Sequence, residues 1–187
     1  GMGVGALGQT RDDVAETVLM GLSRAGGIAG LSGMRREFDA GRVRVHRPLL
    51  DAGREELRAW LRGQGIRWVD DPTNENDRFT RVKARKALAG RAPVGNTAER
   101  LAEVAGHLAQ AQAALEVQMA AAGRWIEERA GALRIGPGLW AEPAEVQRQL
   151  VGQALLWLTG NAYAPRALAV ERLIAAMAAG RDATLAG

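Results

Sequence analysis

Val14, Val18 and Leu22 recur at intervals of four within RDDVAETVLMGLS, the spacing of one face of an α-helix. Thr10 stands before that run as an N-cap. Asp12 and Asp13 fall in the first turn, where carboxylates complement the helix dipole. Ala25-Gly26-Gly27 offers a left-handed cap, so the pattern predicts a helix from Thr10 to about Ser23. VGAL at 4–7 reads as a short strand leading into it, and RVRVH at 42–46 alternates as a strand does until Pro48. GREELRAWLRGQG predicts a compact amphipathic helix with Leu57, Trp60 and Leu61 inward. IRWV reads as a further short strand and RFTRVKARKAL as a basic helix. Farther on, Leu101, Leu108, Leu115 and Ala122 lie seven apart, with Val104, Ala111 and Trp125 on the adjoining seam. That seam predicts one long helix over 97–129, about 50 Å at 1.5 Å per residue. ALRIGPGLW reads as a small hairpin, Pro143 opens a helix to about Leu158, and a last helix spans about Pro165 to Met177.

RAPVGN is a linker by composition and divides the pattern into two parts, residues 1–91 and 92–187. The fold class expected is mainly α, with short strands confined to the first part and to one hairpin. At 187 residues, 47% hydrophobic and 25% charged, the chain has the make-up of a globular protein. The lack of cysteine excludes disulfides, thiol nucleophiles and cysteine-ligated zinc, and two distant histidines, His46 and His107, make a poor metal set. No apolar run approaches the roughly 20 residues of a membrane span. The opening GMGVGALGQT lacks the basic and apolar regions of a signal peptide. We therefore expect a cytoplasmic protein, and read Gly1-Met2 as standing before an internal fragment.

Charge changes this picture. Net charge is −1 over residues 1–41, +6 over 42–91 and −1 over 92–187, so the excess lies in the middle. Within it, residues 78–91 carry Arg78, Arg81, Lys83, Arg85, Lys86 and Arg91 without one acid. Arg81 and Arg85 share a helix face, and guanidinium forks suit phosphates. A second candidate is Asp12, Asp13 and Glu16 with Thr17; residues 13 and 16 place two carboxylates on one face of a helix turn. Such a pair holds magnesium or a substrate ammonium group, or merely complements the helix dipole. The third is RAGGIAGLSGM, where Gly27, Gly30 and Gly33 recur every three residues. Glycines allow a close backbone approach to a ligand or a moving flap, and equally an ordinary helix cap with a mobile loop.

In this order, these pieces resemble the tRNA(Ile)-lysidine synthase family. QTRDDVAETVLMGLSRAGGIAGLSGM is similar to its His-His-x-x-Asp-x-x-Glu-Thr helix and following Gly-x-x-Gly-Leu-x-Gly-Met loop. RPLLDAGREELRAWLRGQGIRWVDDPTNENDRFTRVKAR resembles its Arg-Pro-Leu-Leu to Asp-x-Thr-Asn to Arg-Asn-x-x-Arg stretch. LWAEPAEVQRQLVGQALLWLTG with PRALAVERLIAA is similar, more weakly, to its helical second domain. The resemblance implies the remnant of a Rossmann-like, adenine nucleotide α-hydrolase-type α/β domain followed by a helical tRNA-contacting domain. It also implies a two-step, ATP-dependent carbon–nitrogen ligase. The wobble cytidine of isoleucine tRNA with a CAU anticodon is adenylated, releasing pyrophosphate; L-lysine then displaces AMP, and the anticodon reads AUA.

Carried over, Asp13 and Glu16 hold lysine or Mg2+, with Asp13 the metal ligand. Thr17 and the loop through Gly27, Gly30 and Gly33 lie beside the reacting base. Arg78, Arg81, Lys83, Arg85 and Lys86 bind phosphates of ATP or tRNA, and a second copy of the chain is a candidate partner. Three departures stand out: Gln9-Thr10 replaces the histidine pair, Arg81-Val82 replaces Arg-Asn, and no Ser-Gly-Gly-x-Asp-Ser run occurs. From these the chain is expected to begin inside the ATPase domain, to lack the phosphate-binding loop, and not to adenylate by itself. The alternatives are a non-catalytic RNA-binding module built on residues 78–91, or another PP-loop tRNA-modifying enzyme such as a tRNA thiolase.

Overall fold

The computed structural model describes residues 3–69, 80–91, 97–161 and 165–181. The chain divides into two compact units, residues 1–112 and 113–187.

The first unit opens with β1 (Gly3–Ala6) and α1 (Arg11–Ser23), then the single turn α2 (Ile28–Leu31), β2 (Glu37–Ala40) and β3 (Val43–His46). Helices α3 (Arg54–Gly63), α4 (Thr80–Arg91) and α5 (Ala98–Ala122) follow. The sheet order is β1-β3-β2: β1 runs parallel to β3 with Gly3 opposite Val43, and β2 runs antiparallel to β3 with Phe38 opposite Val45. A parallel pair needs a crossover between its strands, and α1 with α2 lies in that connection. Thr10 begins α1 as expected: the Asp13 carboxylate accepts from the Thr10 amide at 2.8 Å and its hydroxyl at 2.9 Å, closing the first turn. Val14 and Val18 then face inward and form the core with Leu50 and Ala105, against which Leu31, Met34, Leu101 and Ala102 pack.

Two expectations are corrected here, and one strand is added. β2 lies outside the sequence reading, because the alternation of Glu-Phe-Asp-Ala lasts only four residues and its pairing is supplied by β3. Residues 66–69 form no strand; Val69 is 92% exposed and has no sheet to enter. On α3, Leu57 and Leu61 are half-buried, but Trp60 faces solvent at 59% exposure.

The second unit carries the end of α5, the hairpin β4 (Ile126–Arg129) and β5 (Ala132–Ile135), then α6 (Ala144–Thr159) and α7 (Ala167–Ala178). The predicted helix over 97–129 stops at Ala122. Gly123 starts a 3-10 turn, and residues 126–129 pair with β5 instead, Ile126 opposite Ile135. Ala130 and Gly131, with φ of 52° and 77°, make the two-residue turn that suits a right-twisted hairpin. Trp125, placed on the helical seam by spacing, packs on the core from the turn and donates its indole N–H to Glu142 at 3.2 Å. Gly138 lies against that indole so closely that a Cβ there would overlap the ring.

The core joins Met119, Ala122, Leu139, Val146, Leu150, Val151 and Val170. Leu139 is fully buried at its centre. Leu139→Ala is therefore expected to destabilise this unit by about 2–5 kcal/mol, through lost transfer energy and the cavity left behind. Urea titration followed by tryptophan fluorescence checks this; a loss below about 1 kcal/mol would mean that the site collapses around the smaller side chain.

Candidate functional site

The acidic turn of α1 meets two guanidinium groups brought from elsewhere in the first unit. Glu16 is buried, and its Oε1 accepts from Arg85 Nε on α4 at 2.8 Å. Arg54, the first residue of α3, places Nη2 3.4 Å from both Glu16 Oε1 and Asp13 Oδ1. Its backbone amide donates to Asp12 Oδ2 at 2.7 Å. Glu16 Oε2 is buried and has no hydrogen-bond partner among the described residues. Thr17 turns its hydroxyl back onto the Asp13 carbonyl at 2.8 Å, so it braces the helix.

The turn before α3 is fastened to the same end of α1. Arg11 donates its amide to the Ala52 carbonyl at 3.0 Å and pairs with Glu56. The Gly53 amide and then the Arg11 guanidinium hold the exposed Glu56 carboxyl below its ordinary range.

The glycine segment runs back along α1. Gly27 is the N-cap of α2 and Gly30 lies within it. A Cβ at Gly21 of α1 would lie 2.9 Å from the Gly30 carbonyl, so helix and turn are in close contact. Gly33, at φ +72°, reaches Val14, the neighbour of Asp13. Arg47 then locks the segment's exit. It donates to the Arg36 carbonyl through its amide at 2.8 Å, to the Arg35 carbonyl at 2.6 Å and to Gln9 Oε1 at 3.1 Å. Gln9, which stands where the resembled motif has histidine, is thus an acceptor in a hydrogen bond that ties α1's entry to β3.

The basic stretch does not present its cations uniformly. Arg85 turns toward Glu16, while Lys83 and Lys86 are exposed on α4. Lys83 edges an apolar groove of about 440 Å³ with Leu19, Met20, Leu22 and Ser23 of α1 and Ala84 and Ala87 of α4. Arg78 lies outside the described residues; Arg81 is on α4, and its side chain is outside them too. His46 faces Glu37 across the β2–β3 ladder, Nδ1 to Oε1 at 3.1 Å. Sequence reasoning gave no role to Arg54 or to Arg47, although Arg47 opens the Arg-Pro-Leu-Leu run, because both gain their partners only through folding.

The carboxylates do not form a magnesium site. Asp13 Oδ2 already serves Thr10, Asp13 Oδ1 faces Arg54, and Glu16 Oε1 faces two guanidinium groups. One unpartnered oxygen beside two cations does not meet a divalent ion's demand for several oxygen donors. Among the described residues no cluster of three His, Cys, Asp or Glu side chains could hold a metal. No helix among them is long and apolar enough to cross a membrane.

Comparison with known proteins decides the family. The PP-loop domain family matches residues 1–92. A tRNA(Ile)-lysidine synthase of Ruegeria pomeroyi is 43% identical over 185 residues, 97% of this chain and 44% of that protein. The chain belongs to the tRNA(Ile)-lysidine synthase family.

Two further synthases are similar. That of Bradyrhizobium diazoefficiens is 44% identical over 64% of this chain and 33% of its own length. That of Novosphingobium aromaticivorans is 37% identical over 94% and 53%. The chain thus spans about half or less of these synthases' length. The PP-loop match covers the chain from its first residue, so the expected loss of the phosphate-binding loop finds no support in it.

Proposed function

We propose that this chain forms the lysine-handling part of a tRNA(Ile)-lysidine synthase, a cytoplasmic ATP-dependent ligase that joins L-lysine to the wobble cytidine of isoleucine tRNA. The observation that carries this reading is Glu16: a buried carboxylate with one oxygen held by arginines and the other enclosed without a hydrogen-bond partner among the described residues. An acceptor of that kind suits an ammonium donor, since a buried unpaired carboxylate oxygen costs free energy that an incoming N–H relieves. Asp13, one turn away and partly exposed, is a second acceptor for the same ligand.

ATP supplies the activated phosphate that makes the cytidine oxygen a leaving group. Lys83 and Lys86, exposed on α4, and Arg81 are the cations we assign to its phosphates or to the tRNA backbone. The glycine segment through Gly27, Gly30 and Gly33 borders the reacting base. Arg85 serves the site by fixing Glu16. No magnesium is assigned to Asp13, because the donor set does not fit one.

The test is incorporation of labelled lysine into an isoleucine tRNA transcript with a CAU anticodon, using the complete protein that contains this chain. Asp13→Asn is expected to lower kcat/KM about 10²–10³-fold, as loss of one charge-stabilising group does, while tRNA affinity stays within about twofold. Undiminished turnover in Asp13→Asn would remove Asp13 from the site. Salt-dependent tRNA binding with no lysine transfer by the complete wild-type protein would favour an RNA-binding module.

A further inference from the structure

One residue touches the whole acidic turn of α1, through its backbone and its side chain together, and none of the motif positions falls on it. Arg54 reaches Asp12 through its backbone amide at 2.7 Å, and Asp13 and Glu16 through one guanidinium nitrogen at 3.4 Å each. A second nitrogen lies 3.5 Å from Glu16 Oε1. Its side chain is 26% exposed, at the rim of a pair in which Asp13 is 17% and Glu16 1% exposed. Two carboxylates one helical turn apart repel each other. A guanidinium whose Nη2 lies between both offsets the repulsion and fixes where Asp13 Oδ1 and Glu16 Oε1 point. Because this guanidinium and Arg85 both engage Glu16 Oε1, the unpartnered acceptor is Oε2.

We propose that Arg54 is the positioning residue of the Asp13–Glu16 pair. It holds both carboxylates in the orientation that leaves the buried Glu16 Oε2 as the unpartnered acceptor for a primary ammonium group, and its charge disfavours a divalent cation there. The proposal rests on the assignment of lysine to these carboxylates. It adds the group that sets their geometry and their preference for a monovalent ligand. The Asp12–amide contact is made by the backbone, so it survives side-chain substitution and keeps α3 docked. Removal of the guanidinium therefore affects lysine more than the fold.

The experiment is steady-state lysine transfer by the complete protein carrying Arg54→Ala. The lysine KM is expected to rise about tenfold or more, with the ATP KM and the tRNA Kd within about twofold of wild type. Low-millimolar guanidinium is expected to recover part of the lost kcat/KM in Arg54→Ala, and none in Asp13→Asn. A folded Arg54→Ala with a wild-type lysine KM overturns the proposal. So does a uniform fall in all parameters that tracks Tm and resists guanidinium.

Should Arg54→Ala fail to fold, Arg54→Lys carries the test. The lysine ammonium ends one bond short of the position of Arg54 Nη2, the nitrogen that meets both carboxylates, so the lysine KM again rises selectively, whereas full retention of the wild-type KM overturns the positioning role. Failure of the underlying assignment is separable: it shows as lysine transfer persisting in Asp13→Asn. Loss of transfer in Asp13→Asn beside a wild-type lysine KM in Arg54→Ala removes only the role of Arg54.

Discussion

Arg85→Met is expected to destabilise residues 1–112 by about 2–4 kcal/mol, and Glu16→Gln, at the other end of the same ion pair, by only about 1 kcal/mol. The asymmetry follows from where each group can go when its partner is removed. Arg85 keeps 35% of its side chain exposed, so its guanidinium can return to water when Glu16 loses its charge. Glu16 is 1% exposed and cannot. Without Arg85 its carboxylate is left with Arg54 at 3.4 Å and an oxygen that has no partner among the described residues. The double variant Arg85→Met/Glu16→Gln should then lose less than Arg85→Met does, since the stranded charge is gone; a double-mutant cycle isolates that coupling. Urea denaturation of the four proteins measures it. Equal costs for the two single changes, or additive costs in the double, would mean that the buried carboxylate does not depend on Arg85. Lysine transfer should fall in both single variants, in Glu16→Gln because the acceptor's charge is removed and in Arg85→Met because its orientation is lost.

The same pair shows why the site was only half legible in the sequence. Local rules reached the carboxylates: a cap residue, two acids in the first turn and an apolar period of four are all contained within α1. The basic helix was equally visible, but its acid-free run over 78–91 suggested five or six cations facing phosphate together. The acid that engages Arg85 comes from Glu16, 69 residues earlier, and no window along the chain contains both. Arg54, 38 residues from Glu16, was invisible for that reason.

The fold shows the same boundary between local and non-local information. α1, α6 and α7 carry their own periodicity and stop signals, and they lie where spacing placed them. The alanine-rich stretch of α5 carries little to stop it until Gly123, so the seam was extended into residues that prefer pairing with β5. β2 alternates over only four residues, too few to read as a strand, and is held by its pairing with β3.

Gly33→Val is the second change expected to have a large effect, about 2–5 kcal/mol of stability together with a raised lysine KM. Two costs combine. Gly33 has φ +72°, a region that a β-branched residue enters only with strain of about 1–3 kcal/mol. A Cβ there would also lie 3.0 Å from Val14 Cγ1 and 3.2 Å from Ala105 Cβ, inside a core that has no room to yield, and overpacking adds a further 1–3 kcal/mol. Relief requires Val14 or the glycine segment to move, and Val14 is bonded to Asp13, so the carboxylate pair shifts with it. Gly30→Ala is the control. It lies in α2 with no atom within 4 Å of the added carbon, and alanine there should be neutral or stabilising by up to about 1 kcal/mol. The three-residue repeat Gly27, Gly30, Gly33 therefore does not mark one shared requirement. Its last member is demanded by backbone and packing, while its middle member is demanded, if at all, by a ligand. Thermal unfolding separates the two: Gly33→Val as stable as Gly30→Ala would show that the segment rebuilds itself without the left-handed turn. A stable Gly30→Ala with impaired lysine transfer would place the substrate against α2.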